Sequence, residues 1–309
     1  MGIIEVQNLT KDYGSGRGVF DVSFSVDKGE VFGFLGPNGA GKSTTIRHLM
    51  GFSKPQSGST RIFGKDTFDR YYEVLRSVGY IPGEIALPVG LTGWEFIRMM
   101  QDLQHCKNDE YLKYLIDTFK LDPSGETKRM SLGVKRKLAV VTAFMSDPDV
   151  LILDEPTSGL DPVMQEVFID YIRKEKERGK TILLSSHIFS EVDATCDRIA
   201  IIKDGRIVSD FVADDLKHAS QKNYLVGFAD KASLDKFVAE TAQSEIMKII
   251  DTDTSRLTAT VSTDDKYINE VIARFSDYKI VNFGHIKETL EDYFMSYYKE
   301  DKSFGGALK

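Results

Sequence analysis

The stretch Gly36-Pro37-Asn38-Gly39-Ala40-Gly41-Lys42-Ser43 constrains this chain more than any other part of it. It fits the pattern G-x-x-x-x-G-K-[ST]. It stands between an apolar run, Val31–Leu35, that suits a buried strand and a helix-forming stretch from Ser43 to about Met50. That context is what phosphate binding needs. The glycines let backbone N–H groups turn inward around phosphate oxygens, and the helix N-terminus adds the positive end of its dipole. Asn38, Gly39, Ala40 and Gly41 would form the cradle, and Lys42 would reach the β- and γ-phosphates. Ser43 would ligate Mg²⁺, and Thr44 would lie near the α-phosphate. A Gly-rich turn can match the pattern by chance, but the flanking strand and helix make this an α/β expectation.

Two further strand ends carry polar groups. The apolar run Leu151–Leu153 leads into Asp154-Glu155. Alternate strand residues face opposite sides, so the two acids can take different jobs. Asp154 would hold Mg²⁺ through a water, and Glu155 would polarise the water that attacks the γ-phosphate, because phosphoryl transfer asks mainly for positioning. A solvated acidic pair at a strand end is an equally good reading of those two residues alone. Thr181–Ser185 runs into Ser186-His187, which puts His187 at the sheet edge where α/β proteins bind ligands, within reach of a γ-phosphate. A lone histidine there is more often structural.

Around these motifs the chain reads as two modules. Residues 3–35 alternate apolar and polar positions between glycine turns, as strands do. Residues 84–145 change to a helical pattern. Thr92 and Glu95 form a capping box ahead of Phe96, Ile97, Met99, Met100 and Leu103, and Tyr111, Leu112, Leu115, Ile116 and Phe119 form a second apolar stripe. Lys203-Asp204-Gly205 is a hairpin signal. Past Leu216 a polar break at Lys217–Lys222 precedes strand Tyr224–Phe228, helix Ala232–Glu240, strands Ile246–Ile250 and Leu257–Val261, helix Tyr267–Phe275 and strand Lys279–Phe283. That β-α-β-β-α-β order predicts a small α+β, ferredoxin-like module. A last helix is expected over Ile286–Tyr298, with Leu290, Tyr293, Phe294 and Tyr297 on one face. The division expected is 1–216, with a helical subdomain at about 84–145, then 223–299, then a flexible tail over 300–309.

Composition excludes other classes. The length of 309 residues allows one large domain and a smaller one. A net charge of −7 gives no electrostatic case for nucleic acid as a partner. Cys106 and Cys196 form no metal-ligand spacing and read as reduced thiols of a cytosolic protein. No apolar run approaches the roughly 18 residues that cross a bilayer, and the N-terminus lacks the plan of a signal peptide. The chain is expected to be soluble, with any membrane role reached through a partner.

From residue 1 to about 215 the order of these motifs resembles the nucleotide-binding domain of ABC transporters. Met130-Ser131-Leu132-Gly133-Val134 is similar to the family's signature loop, and Pro156-Thr157-Ser158-Gly159-Leu160-Asp161 to its D-loop. His187 falls at the switch position, and Tyr13 falls where an aromatic ring stacks on adenine. The resemblance implies an ATPase that works with ATP and Mg²⁺ on the cytoplasmic face of the membrane. Its partners would be separate transmembrane permease subunits. Two such domains, as a homodimer or heterodimer, would pack head to tail, with Ser131 and Gly133 of one meeting the γ-phosphate on the other and Asp161 in the D-loop beside them. The combination of one such domain, a C-terminal appendage and the Pro82-Gly83-Glu84 variant looks most like bacterial exporter ATPases of the antibiotic-resistance or sodium-export type. Two positions depart from the family. Leu132 replaces the first signature glycine, and Gly83 stands where a glutamine is usual, so Glu84 is the nearest side chain for that role. The alternative is a soluble ABC ATPase acting on ribosomes or nucleic acid, but such proteins carry tandem domains or long coiled coils, and this chain has one phosphate loop.

Overall fold

The computed structural model describes residues 2–217, 221–242, 244–286 and 289–299, so the tail expected over 300–309 lies outside it. The chain divides into two compact units, residues 1–213 and 214–309.

The first unit runs β1 (Ile4–Asp12), β2 (Gly18–Val26), β3 (Val31–Leu35), α1 (Lys42–Leu49), β4 (Ser57–Ile62), β5 (Lys65–Asp66), α2 (Tyr71–Val74) and β6 (Val78–Ile81). It continues with α3 (Gly93–Gln104), α4 (Asp109–Thr118), α5 (Leu132–Phe144), β7 (Val150–Asp154), α6 (Pro162–Glu177), β8 (Thr181–Ser186), α7 (Phe189–Thr195), β9 (Arg198–Lys203) and β10 (Arg206–Val212). Two sheets form. One is antiparallel, in the order β2-β1-β4-β5. The other has the order β10-β9-β3-β8-β7-β6, parallel except for the edge strand β10.

Every residue of β3, β7 and β8 is buried, which is why Val31–Leu35, Val150–Leu153 and Ile182–Leu184 within them read as apolar runs. Alternation still sorts their faces. Phe32, Phe34, Ile152, Leu183, Ala200 and Ile202 share a core with Ile4, Val6, Val22 and Phe24 of the antiparallel sheet and with Ile46 and Leu49 of α1. Phe24 stacks on Phe32 with ring centroids 5.1 Å apart. Each Val, Leu, Ile or Phe among them contributes about 1.5–3 kcal/mol on burial. On the other face α7 approaches β3 so closely that a Cβ on Gly33 would lie 2.8 Å from Val192 Cγ1 and 2.9 Å from Cys196 Sγ. Only glycine fits there.

The helical stretch contains α3, α4 and α5. Thr92 Oγ1 accepts the N–H of Glu95 while the Glu95 carboxylate accepts the N–H of Thr92, a complete capping box. Phe96, Ile97, Leu112, Leu115 and Phe119 are buried, but Leu103 is 66% exposed, because α3 ends one residue later and its last turn leaves the packed stripe. The stretch is fastened to α6 by the Tyr111–Tyr171 hydroxyl contact of 2.7 Å and by Phe119 and Phe144 packing edge-on to Tyr171.

The second unit begins within the short helix α8 (Ala213–Lys217). It then runs β11 (Gln221–Phe228), α9 (Lys231–Thr241), β12 (Met247–Asp253), β13 (Thr258–Asp264), α10 (Ile268–Phe275), β14 (Ile280–Ile286) and α11 (Leu290–Lys299). Its antiparallel sheet has the order β12-β13-β11-β14. Val226, Phe228, Leu234, Phe237, Val261 and Val271 form its own core. Strands β12, β13 and β14 each run past their expected ends, to Asp253, Asp264 and Ile286, and the last helix and β11 also start away from their expected positions. β14 pairs with β11 as far as Ile286, so the last helix cannot start there. It starts after Thr289, whose hydroxyl accepts the N–H of Asp292 at 3.1 Å while the Asp292 carboxylate accepts the N–H of Thr289. Lys222, expected in a linker, is already in β11 and pairs with Asp265.

Candidate active site

The C-terminal ends of β3, β6, β7 and β8 lie side by side, and the loops that leave them form one cleft of about 340 Å³. It is lined by Asn38 and Ser43 of the phosphate loop and α1, by Pro82, Gly83 and Glu84 after β6, by Asp154, Glu155 and Ser158 at and after β7, and by His187 after β8.

Gly39 and Gly41 take φ of 84° and 115°, the left-handed values that turn the loop's amides inward. The β9–β10 hairpin supports the loop from outside: Gly205 N–H donates to Ala40 O at 2.9 Å. Lys42 is buried. Its ammonium donates to Gly36 O at 2.6 Å and Pro37 O at 3.2 Å, and lies 3.0 Å from Glu155 Oε1. That last contact is an ion pair without hydrogen-bond geometry, since Oε1 is a buried oxygen with no donor among the described residues.

The two acids do not face opposite sides. β7 ends at Asp154, and Glu155 has φ of 49°, so the chain turns out of the strand between them and both line the cleft. They differ in their partners instead. Asp154 is buried and accepts the Ser185 hydroxyl at 2.5 Å from the facing strand. Glu155 Oε2 lies 2.5 Å from His187 Nδ1. Gly83 sits against Asp154: a Cβ there would be 3.0 Å from Asp154 Oδ2. Glu84 is exposed and lines the same cleft.

The remaining candidates are elsewhere. Tyr13, 54% exposed just past β1 with the Lys11 ammonium 5.8 Å from its ring centroid, is not among the lining residues, nor are Gly39, Ala40, Gly41, Lys42, Thr44, Ser131, Gly133 and Asp161. Ser131 and Asp161 cap helices: Ser131 Oγ accepts Val134 N–H at 3.3 Å on α5, and Asp161 accepts Met164 N–H at 3.0 Å on α6. A capping hydroxyl still has its own proton to donate. The signature and D-loop touch within this chain. The Leu132 side chain lies over Gly159, where an added Cβ would be 2.7 Å from Leu132 Cγ.

Several residues of the site carry no motif signal. Arg47 lies one turn after Ser43 on α1, a spacing that puts both on one helix face. Tyr80 also lines the cleft, and burial, reinforced by the Asp154 charge, pushes its hydroxyl up to about 12. Behind the cleft Glu191 of α7 is 2% exposed and accepts the Ser186 hydroxyl at 2.5 Å, and its burial raises its carboxyl to about 7. Arg136 of α5 is equally buried and donates to three carbonyls, those of Ser158, Pro82 and Gly83.

No cluster of three or more His, Cys, Asp or Glu side chains among the described residues could hold a metal ion. The cleft's donors are a hydroxyl and carboxylates, which suits a hard cation that keeps waters and phosphate oxygens as its other ligands.

Comparison with known proteins places this arrangement. A family model described as ABC transporter matches residues 19–158. The bacitracin transport ATP-binding protein BcrA of Bacillus licheniformis is 39% identical over 229 residues, 71% of this chain and 73% of that protein. An uncharacterized ABC transporter ATP-binding protein, YcbN of Bacillus subtilis, is 31% identical over 300 residues, 95% of this chain and 96% of its own. A solved structure titled as the ATP binding subunit of an ABC transporter is 34% identical with a TM-score of 0.64, covering 70% of this chain and 92% of that one.

Proposed function

This chain belongs to the ABC transporter ATP-binding family, and from that premise we propose that it hydrolyses ATP to power export through a separate membrane permease. The observation that carries the reading is the meeting of Asp154, Glu155 and His187 at one cleft, with the buried Lys42 ammonium 3.0 Å from Glu155, on groups from three adjacent parallel strand ends. ATP phosphates entering the loop over residues 36–43 compete with Glu155 for the Lys42 ammonium. Glu155 then keeps His187 as its partner and turns Oε1 to the attacking water, which it polarises. His187 with its Nδ1 proton toward Glu155 presents a bare Nε2 when neutral, so it donates to a γ-phosphate only as imidazolium or after releasing Glu155.

Mg²⁺ fits the oxygen donors. Ser43 would ligate it, Asp154 would hold it through a water, and when bound it would neutralise charge on the β- and γ-phosphates. Glu84, the side chain next to Gly83 in the cleft, would take over the contact that the glycine lacks. Tyr13 would stack on adenine, and Ser131 and Gly133 would reach the γ-phosphate of a second chain packed head to tail, with Asp161 beside it. No helix among the described residues is long and apolar enough to cross a membrane. The chain would act at the cytoplasmic face of the membrane through its permease, as the likeness to transport ATP-binding proteins suggests. The strand order β12-β13-β11-β14 supports reading residues 223–299 as a ferredoxin-like regulatory or dimerisation domain.

Two substitutions test the assignment. Glu155→Gln should cut steady-state hydrolysis at least a hundredfold and leave ATP affinity within about threefold, while Lys42→Ala should weaken ATP binding itself. Wild-type turnover in Glu155→Gln, measured by phosphate release, would refute the proposed role of the cleft.

A further inference from the structure

Three residues that line the cleft but bring no side chain to the chemistry, Pro82, Gly83 and Ser158, have their carbonyls held by one buried side chain. Arg136 Nη1 donates to Pro82 O at 2.8 Å, Nη2 to Gly83 O at 2.8 Å and Nε to Ser158 O at 2.9 Å. Arg136 itself does not line the cleft and is 2% exposed. Its charge acts on Asp154, Glu155 and Glu191 without an ion pair to any of them. A buried guanidinium is costly to keep unless each donor is matched, and its planar fork is what lets one side chain span carbonyls from two loops.

These two loops flank the carboxylates. The Pro82-Gly83 backbone faces Asp154, with a Cβ at Gly83 only 3.0 Å from Asp154 Oδ2, and Ser158 lies three residues past Glu155. Gly83 has no side chain, so whatever that residue contributes is set by the position of its backbone. Arg136 also belongs to α5, whose first turn rests on the same D-loop through Leu132 over Gly159 and through Gly133, where a Cβ would be 3.0 Å from Gly159 O.

We propose that Arg136 is a positioning residue for hydrolysis, fixing the backbones on both sides of Asp154 and Glu155 and tying them to the signature turn at the start of α5. The inference rests on reading the cleft as the site of ATP hydrolysis. A load placed on the first turn of α5 by a second chain is delivered by Arg136 to the Gly83 and Ser158 carbonyls, and from there to the two carboxylates.

The test uses the full chain and the variants Arg136→Lys, which keeps the charge but loses the fork, and Gly83→Ala, which pushes a methyl group toward Asp154. Phosphate release gives kcat and KM, and equilibrium titration with ATP gives affinity and binding stoichiometry. Arg136→Lys should lower kcat about tenfold or more, with ATP affinity within about threefold and stoichiometry unchanged, a split that simple loss of folded protein does not produce. Wild-type kcat in Arg136→Lys overturns the proposal, and so does a loss of turnover that only tracks a loss of ATP-binding stoichiometry. If Arg136→Lys yields no folded protein, Gly83→Ala decides. A lower kcat at intact affinity supports the coupling of that backbone to Asp154, and an unchanged kcat overturns it. A wild-type chain with no hydrolysis refutes the functional reading and this inference with it, whereas wild-type hydrolysis with unaffected variants refutes this inference alone.

Discussion

Replacing Glu191 by glutamine should stabilise the protein in alkaline solution and do little in acid. Glu191 sits on α7 beneath the cleft, 2% exposed, with the Ser186 hydroxyl donating to it. Burial raises its carboxyl from 4.5 to about 7, reinforced by the Glu155 charge, while the Ser186 and Thr157 hydroxyls and the Arg136 charge lower it. The folded chain therefore holds this proton more tightly than the unfolded chain. The stability linked to it is complete below about pH 4.5 and is lost as the pH rises through about 7. At 1.36 kcal/mol per pKa unit the full difference is about 3 kcal/mol, reached near pH 8.5, and under about 1 kcal/mol at pH 5. Glutamine keeps the shape and an acceptor for Ser186 but never ionises. With roughly 2–4 °C of melting temperature per kcal/mol for a unit of this size, Glu191→Gln should melt about 6–12 °C above wild type at pH 8.5 and within about 4 °C of it at pH 5. Calorimetric scans of both proteins at the two pH values decide the matter. A difference of equal size at both, or a more stable wild type at pH 8.5, refutes the argument that an ionised Glu191 is the cause.

Phe237→Ala, at a fully buried ring packed between Phe228 and Tyr278, should cost about 3–5 kcal/mol, and limited proteolysis should then open the C-terminal unit while ATP affinity stays unchanged. Glu84→Ala should lower permease-stimulated ATPase activity more than ATP affinity, and full stimulated activity would leave Glu84 a solvated loop acid. A chain ending at Lys217 should stay soluble and hydrolyse ATP within about tenfold of the full rate, about 1.4 kcal/mol in barrier, because the two units have separate cores. Loss of ATP binding in that folded truncation would show that the C-terminal unit helps to build the nucleotide site.

What the sequence determined by itself are the features that local chemistry dictates. A strand, a Gly-rich loop and a helix at Val31–Leu49 follow from an apolar run, two glycines at positive φ and a helix-forming stretch, all within twenty residues. The Thr92–Glu95 capping box and the Asp204-Gly205 hairpin turn are equally local. Family membership was legible for the same reason, since the signature and the D-loop are short contiguous strings. The tertiary structure alone decided what those strings share. Alternation predicts Asp154 and Glu155 on opposite faces, but it holds only inside a strand, and the left-handed turn at Glu155 brings both into one cleft. Arg136 reads in sequence as one of three basic residues on a helix. Its burial under two loops some fifty and twenty residues away arises only when α5 packs against β6, and no local pattern encodes a partner that distant. Glu191, an acid on a short helix, gains its raised pKa from burial where α7 packs against β3 and β8. A carboxylate's proton affinity depends on how much water and charge surround it, and only the folded chain sets that.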